Sequence, residues 1–423
     1  MPPDHPERVA LANEVHARPY EALQTPQRAE YLALALDQDE REREIVHLGE
    51  LCRAFGVAPP VADASHFSAS LGALRVKWER HTEFSGYAFF APGDSGEGFG
   101  EPASAVLPGG WLAAIPGKTI VAARAKLAKF AFQTADSDYV DAHFDGNIVV
   151  GAEIGGTGAG VAFTDFQIDR DGFVRFLVLD RHLVPRQAGR MLQRLFEIES
   201  YRVMALLALP VARAYAPQIM TIEHALASLA AEIARDDGDD EALLDKLTGL
   251  ATDVESAIVA SQYRFGASRA YYELVRARIA ELKERSLPGI QTIGEFMERR
   301  LAPAMATCFS VSERLRELSE RVTQASGLLS TRVEIVREKQ NQALLASMDR
   351  RAKLQLRLQQ TVEGLSVAAI TYYVVGLVGY IAKGLKASGA PIDPEIAIAV
   401  AIPVVVIVMV MLLRRVRRRL GAH

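Results

Sequence analysis

Glu14, His16 and Arg18 stand at alternate positions in ANEVHARPYE, just ahead of Pro19. An imidazole beside a carboxylate can act as a general base. No nucleophile and no metal-ligand spacing accompanies this trio, so a structural or interface role is the expectation for this polar N-terminal site. In RVKWERH, strand alternation sends Val76, Trp78 and Arg80 to one face and Lys77, Glu79 and His81 to the other. The second face is expected to be solvated. Asp141, His143 and Asp145 alternate in DAHFDG and could face the same way, but a lone histidine with two aspartates is a slender basis for a metal.

Two other segments invite a ligand. The acidic run Asp236, Asp237, Gly238, Asp239, Asp240 lacks the calcium-loop spacing with a closing glutamate. It reads as a solvated turn before an acidic helix start at Glu241. The glycine-rich GAEIGGTGAG, Gly151 to Gly160, would need Lys and Ser or Thr next to cradle a phosphate. Val161 and Ala162 follow instead, so a turn between strands is expected. No catalytic residue is assigned and no cofactor is expected; a metal is left open.

The elements that would position these residues fall into blocks. Over 1–182, Tyr31–Leu36, Ala73–His81, Ser85–Pro92, Thr119–Lys126, Asn147–Ile154, Gly160–Ile168 and Gly172–Asp180 read as strands, bounded by Gly, Pro and Asp. Glu40 to Phe55 reads as an amphipathic helix. This predicts an α+β domain rather than a doubly wound sheet. Residues 183–363 read as an all-α bundle and stalk, with helices over Pro185–Leu209, Ile219–Ala234, Glu241–Arg264 and Ser268–Glu284.

After Pro303, expected near a helix start, no proline occurs until beyond Ala382. Val311, Leu315, Leu318, Val322, Ala325, Leu329, Val333 and Val336 form an apolar stripe at steps of three and four. Charge is dense between them, as on the outside of a coiled coil. A helix that long is stable only if the stripe is covered. Its partner is either an earlier helix of the same chain or a second copy, and a homo-oligomer is the expectation.

Gly364–Ala382 and Ile396–Leu413 carry no charge, and each is long enough to cross a hydrocarbon core of about 30 Å. Region 364–413 is thus expected to be a transmembrane helical hairpin in a lipid bilayer, with Pro403 inside the second span. Arg350, Arg351, Lys353 and Arg357 precede it, and the basic tail 414–423 follows with Arg414, Arg415, Arg417, Arg418 and Arg419. The turn between the spans offers Lys383 and Lys386. The positive-inside rule then puts both termini in the cytoplasm of a bacterial inner membrane, multi-pass. MPPDHPERVA has no apolar core of a signal peptide. In the first span, Tyr372, Gly376, Gly379 and Lys383 share a helix face suited to packing or to a pore. Asp393 and Glu395 in the outer turn could attract cations.

With 48 basic and 52 acidic side chains and a formal charge of −4, the chain is no dedicated nucleic-acid binder. Cys52 and Cys308 alone form no disulfide framework, which fits a reducing compartment.

At ANEVHARPYE, KWERHTEFSGYAFF and QNQALLASMDRRAKLQLRLQQTVEGLSVAAITYYVVGLVGYIAKG, the chain resembles a family of uncharacterised, membrane-anchored bacterial proteins defined as a domain of unknown function. That resemblance runs from about Asn13 to the second span and implies no established activity. The architecture is also distantly similar to CorA-type magnesium channels. Their Gly-Met-Asn motif is replaced here by Gly379-Tyr380-Ile381-Ala382-Lys383. Three functions follow as expectations. The first is a membrane-anchored, oligomeric scaffold presenting its α+β domain to a cytoplasmic protein partner. The second is a CorA-like divalent cation channel or transporter. The third is a membrane-tethered enzyme using His16, His81 or His143.

Overall fold

Alternation along RVKWER drives Val76 and Trp78 into a fully buried core and sends Lys77 and Glu79 to the opposite face of one sheet. The structure is a computed structural model. It describes residues 2–16, 19–93, 98–130, 137–235, 239–387, 389, 391 and 393–420. The chain divides into two compact units, Met1–Ser326 and Gly327–His423. In outline it has an N-terminal domain of mixed α and β built on a sheet, then a long helical region containing apolar helices.

The strands are β1 (Gln27–Ala35), β2 (His66–Leu71), β3 (Leu74–Arg80), β4 (Phe84–Pro92), β5 (Lys118–Lys129), β6 (Val150–Ile154), β7 (Gly160–Thr164), β8 (Val174–Asp180) and β9 (Arg285–Ser286). Among the described residues these form one sheet in the order β2-β3-β4-β1-β5-β8-β7-β6-β9. The pair β5–β8 is parallel and its neighbours are antiparallel. Tyr31 lies opposite Ala88 on one side and Ala123 on the other, and Ala88 lies opposite Lys77, so these residues share a face.

The helices are α1 (Arg8–His16), α2 (Gln38–Ala54), α3 (Ser137–His143), α4 (Pro185–Leu206), α5 (Ala208–Arg235), α6 (Asp240–Leu282), α7 (Ile293–Ala387) and α8 (Pro394–Leu420). Helix α2 starts where the sequence allows it: Asp37 accepts from the Glu40 amide at 2.8 Å, and Glu40 accepts from the Asp37 amide at 2.9 Å. This capping box satisfies two otherwise orphaned donors. α2 then lays Leu48 and Leu51 against Trp78, Tyr87 and Phe89. Further along the sheet, Val140 and Phe144 pack with Phe163, Leu177 and Leu179. α4 covers the other face, where the Tyr31 ring stacks on Phe196 with centroids 5.0 Å apart.

α6 and α7 pack antiparallel in the first unit, as Ser268–Met305 and Glu255–Ser319 contacts show. Val311, Leu315, Leu318 and Val322 are all buried there. That part of the stripe is therefore covered within the chain. Arg314 adds a bond to Glu223 of α5 at 2.7 Å. In the second unit, Leu344, Leu345, Met348, Leu354, Leu356 and Leu358 are exposed.

Several sequence expectations change. The expected break between Arg264 and Ser268 is absent, because Gly266 is accommodated inside a continuous α6 at a cost of only about 1 kcal/mol. Pro303 lies inside α7, which starts at Ile293, rather than near the helix start. β2, not expected from sequence, does alternate, with His66, Ser68 and Ser70 exposed between Phe67, Ala69 and Leu71; its short run carries no β-branched side chain to mark it as a strand. The glycine-rich segment is the turn between β6 and β7, with Gly155, Gly156 and Gly158 at positive φ. Asp141 and His143 lie on a helix, α3, with Asp145 just beyond it, so strand alternation does not apply to them.

Candidate functional site

A polar cleft lies between the sheet and α4 in the first unit. β1 supplies Tyr31, β3 supplies Lys77 and Glu79, and His81 follows at the strand end. α4 supplies Gly189, Gln193, Phe196, Glu197, Ser200 and Tyr201, which are spaced to fall on its inward side. The face with Lys77, Glu79 and His81 is therefore not a solvated one: Lys77 is 6% exposed beneath α4. Covering the sheet with α4 forces these polar groups to find protein partners.

They do so pairwise. Lys77 Nζ donates to Gln193 Oε1 at 3.0 Å and sits 2.9 Å from Glu79 Oε1. Gln193 Nε2 donates to Glu197 Oε1 at 2.7 Å, and Glu197 is paired with Arg278 of α6. Arg278 also holds Glu281 at 2.9 Å, which Arg194 meets at 2.6 Å. Ser200 Oγ lies 3.1 Å from Tyr31 Oη and 2.8 Å from the Phe196 carbonyl. With one hydroxyl hydrogen, Ser200 donates to Phe196 and accepts from Tyr31. His81 stacks on Phe84 with centroids 4.3 Å apart.

Burial pushes the Tyr31 and Tyr201 phenols well above their ordinary range. Both are thus protonated at neutral pH and cannot act as bases. Residues 19–25 run over the cleft: Glu21 is bonded to Arg75 and, at 2.6 Å, to Ser68 Oγ. Charges in the cleft are matched, with Glu21, Glu79 and Glu197 each paired to a cation. The space left is about 30 Å³. That is room for a water molecule, well short of the several hundred Å³ of a small-molecule site. In this arrangement the cleft cements the sheet to α4 and α6 and has no room for a substrate.

The residues singled out from sequence are placed as follows. Glu14 and His16 belong to α1, but their side chains, and the whole of Arg18, lie outside the described residues. His143 packs edge-on to Phe99 with its Nδ1 2.7 Å from the Tyr139 carbonyl, in a different cluster from His81. Asp145 pairs with Arg175 at 2.8 Å, and Asp165 holds the same guanidinium at 3.1 Å. Asp239 caps α6 by accepting from the Glu241 amide at 3.0 Å, while Asp236, Asp237 and Gly238 lie outside the described residues. Among the described residues no group of three His, Cys, Asp or Glu is placed to hold a metal ion.

In the second unit Gly379 marks a close approach of α7 to α8: a Cβ there would stand 2.9 Å from Ile398 Cδ1. Tyr372 and Gly376 line an open apolar groove with Ile398, Ile402 and Val406, whereas Lys383 is exposed outside it. Asp393 Oδ1 accepts from the Glu395 amide at 3.1 Å at the start of α8.

Sequence reasoning missed Glu44, which is fully buried and accepts from Trp78 Nε1 at 3.0 Å and Ser85 Oγ at 2.9 Å. The available signal was a glutamate on the apolar face of α2, at the helical step before Leu48. It also missed Gln193, Glu197 and Ser200, whose steps of four and three place them on one side of α4.

Compared with known proteins, residues 3–420 match the family described as "Protein of unknown function (DUF3422)". No curated protein and no solved structure matches the chain. The match covers nearly its whole length, and the chain belongs to that family.

Proposed function

We propose that this DUF3422 family member is a membrane-anchored, oligomeric scaffold that presents its sheet domain at the inner face of a bacterial membrane. The observation that carries this reading is the exposed apolar surface of the second unit. Leu365, Tyr372, Tyr373, Leu377, Tyr380 and Ile381 on α7 and Ile396, Val400, Val404, Ile407 and Met411 on α8 are all exposed. Water-soluble monomers rarely tolerate a contiguous apolar patch larger than a few hundred Å². Burying each such side chain is worth about 1.5–3 kcal/mol, so a lipid environment is strongly favoured over water.

Among the described residues, three helical stretches are long and apolar enough to cross a membrane, Pro185–Arg235, Ile293–Ala387 and Pro394–Leu412. In our reading only the last two supply spans. The first already buries Leu192, Leu195, Phe196 and Ile198 in the sheet domain. The spans then form a hairpin with both termini cytoplasmic, on the evidence of the flanking arginines. Self-association runs through the second-unit part of α7, where Leu344, Leu345, Met348, Leu354, Leu358 and Val362 are exposed. The sheet domain offers a cytoplasmic protein partner a surface.

The cation-channel alternative draws on Asp393 and Glu395, and Asp393 is engaged as a helix cap. The enzyme alternative needs a site larger than the cleft. Light scattering on the detergent-purified full chain tests the scaffold reading. A protein mass that is an integer multiple, two or more, of 46.2 kDa is expected; a single-chain mass contradicts self-association.

A further inference from the structure

The groove between α6 and α7 in the first unit is unlike the cleft under α4. It is an open groove of about 380 Å³, a volume within the range of small-molecule sites. Its floor is buried Phe265 and Leu315, and Gly266 leaves a gap in the wall where an added Cβ would meet nothing within 4 Å. The Arg269 guanidinium lies 4.6 Å from the Phe309 ring centroid, and Arg269 has no carboxylate partner among the described residues. Arg316 faces the same groove, held by Glu313 at 2.9 Å in a pair more than half exposed on both sides. Such a pair is weak, so Arg316 can exchange Glu313 for a stronger acceptor.

We propose that this groove binds a small phosphate-bearing organic anion, with the phosphate at Arg269 and Arg316 and the organic body in the gap beside Gly266 and Phe309. Guanidinium groups offer phosphate paired, planar donors. Phosphate alone would leave most of the groove empty, which is why an organic body belongs to the ligand. Glu313 is the group that opposes binding, because it repels the anion and competes for Arg316. The proposal stands apart from the scaffold reading, since it concerns a groove wholly inside the first unit.

Titration calorimetry of the full chain in neutral detergent with phenyl phosphate tests it. The expected result is saturable binding that weakens at least tenfold in Arg269→Ala and is lost in Gly266→Leu, which fills the groove without removing a charge. Glu313→Gln is expected to bind several-fold tighter, an effect that general damage to the fold would not produce. A matching series with phosphatidic acid vesicles identifies the source of the phosphate. Binding to vesicles alone that is lost in Arg269→Ala assigns it to a lipid headgroup and overturns the soluble ligand. Absence of saturable binding to either probe, or equal binding by wild type and Arg269→Ala, overturns the proposal.

Discussion

The carbonyl oxygen of Glu21 lies directly against Gly189: a Cβ built on that glycine would stand 1.6 Å from it. Only a residue without a side chain lets the segment before β1 cross α4 at this depth. The same crossing is held by the Leu23 amide donating to the Pro185 carbonyl at 3.0 Å. Gly189→Ala is therefore expected to force main-chain movement and to destabilise the first unit by about 1–3 kcal/mol. Thermal unfolding of the detergent-solubilised chain checks this, with an unchanged melting point as the contrary result.

Glu44 illustrates how one buried carboxylate can organise a core. It lies beneath Trp78 and Ser85, accepts a bond from each, and stands 3.5 Å from Arg80. Glu44→Ala strips the acceptor from two buried donors and leaves Arg80 without this counter-charge. The expected loss is about 3 kcal/mol, read as a lower urea midpoint. The Trp78 fluorescence should shift to the red as water reaches the indole.

Asp180 sets a pH dependence. Burial raises its carboxyl, but Lys129 at 2.6 Å, Thr25 Oγ1 at 2.7 Å and the Leu183 amide at 2.6 Å outweigh that and hold it below the usual carboxylate range. A carboxyl depressed in the folded state stabilises the fold above its unfolded pKa, near pH 4. That contribution disappears as the pH falls through the folded value. Asp180→Asn should accordingly melt lower than wild type at pH 7, with the gap narrowing below about pH 4. A constant gap across that range would contradict this linkage.

Much of the sheet was legible because its signals are local. The alternation of Val76, Trp78 and Arg80 against Lys77, Glu79 and His81 places β3, and the turn glycines bound β6 and β7. What covers each face is not local. Lys77 and Glu79 read as solvated because the covering residues Gln193 and Glu197 come from a helix more than a hundred positions away. The stripe from Val311 to Val322 showed that α7 needs a partner but not which one; α5 and α6 supply it in the first unit. Proximity in sequence also placed His143 and Asp145 together, whereas α3 ends at His143 and Asp145 beyond it pairs with Arg175.

We propose that the apolar stretches of α7 and α8 lie in lipid. Flotation of carbonate-washed membranes on a density gradient tests it most directly, comparing the full chain with one ending at Glu363. The full chain is predicted to rise with the lipid and the shortened chain to stay at the bottom. A full chain left in the soluble fraction after lysis without detergent would contradict the account.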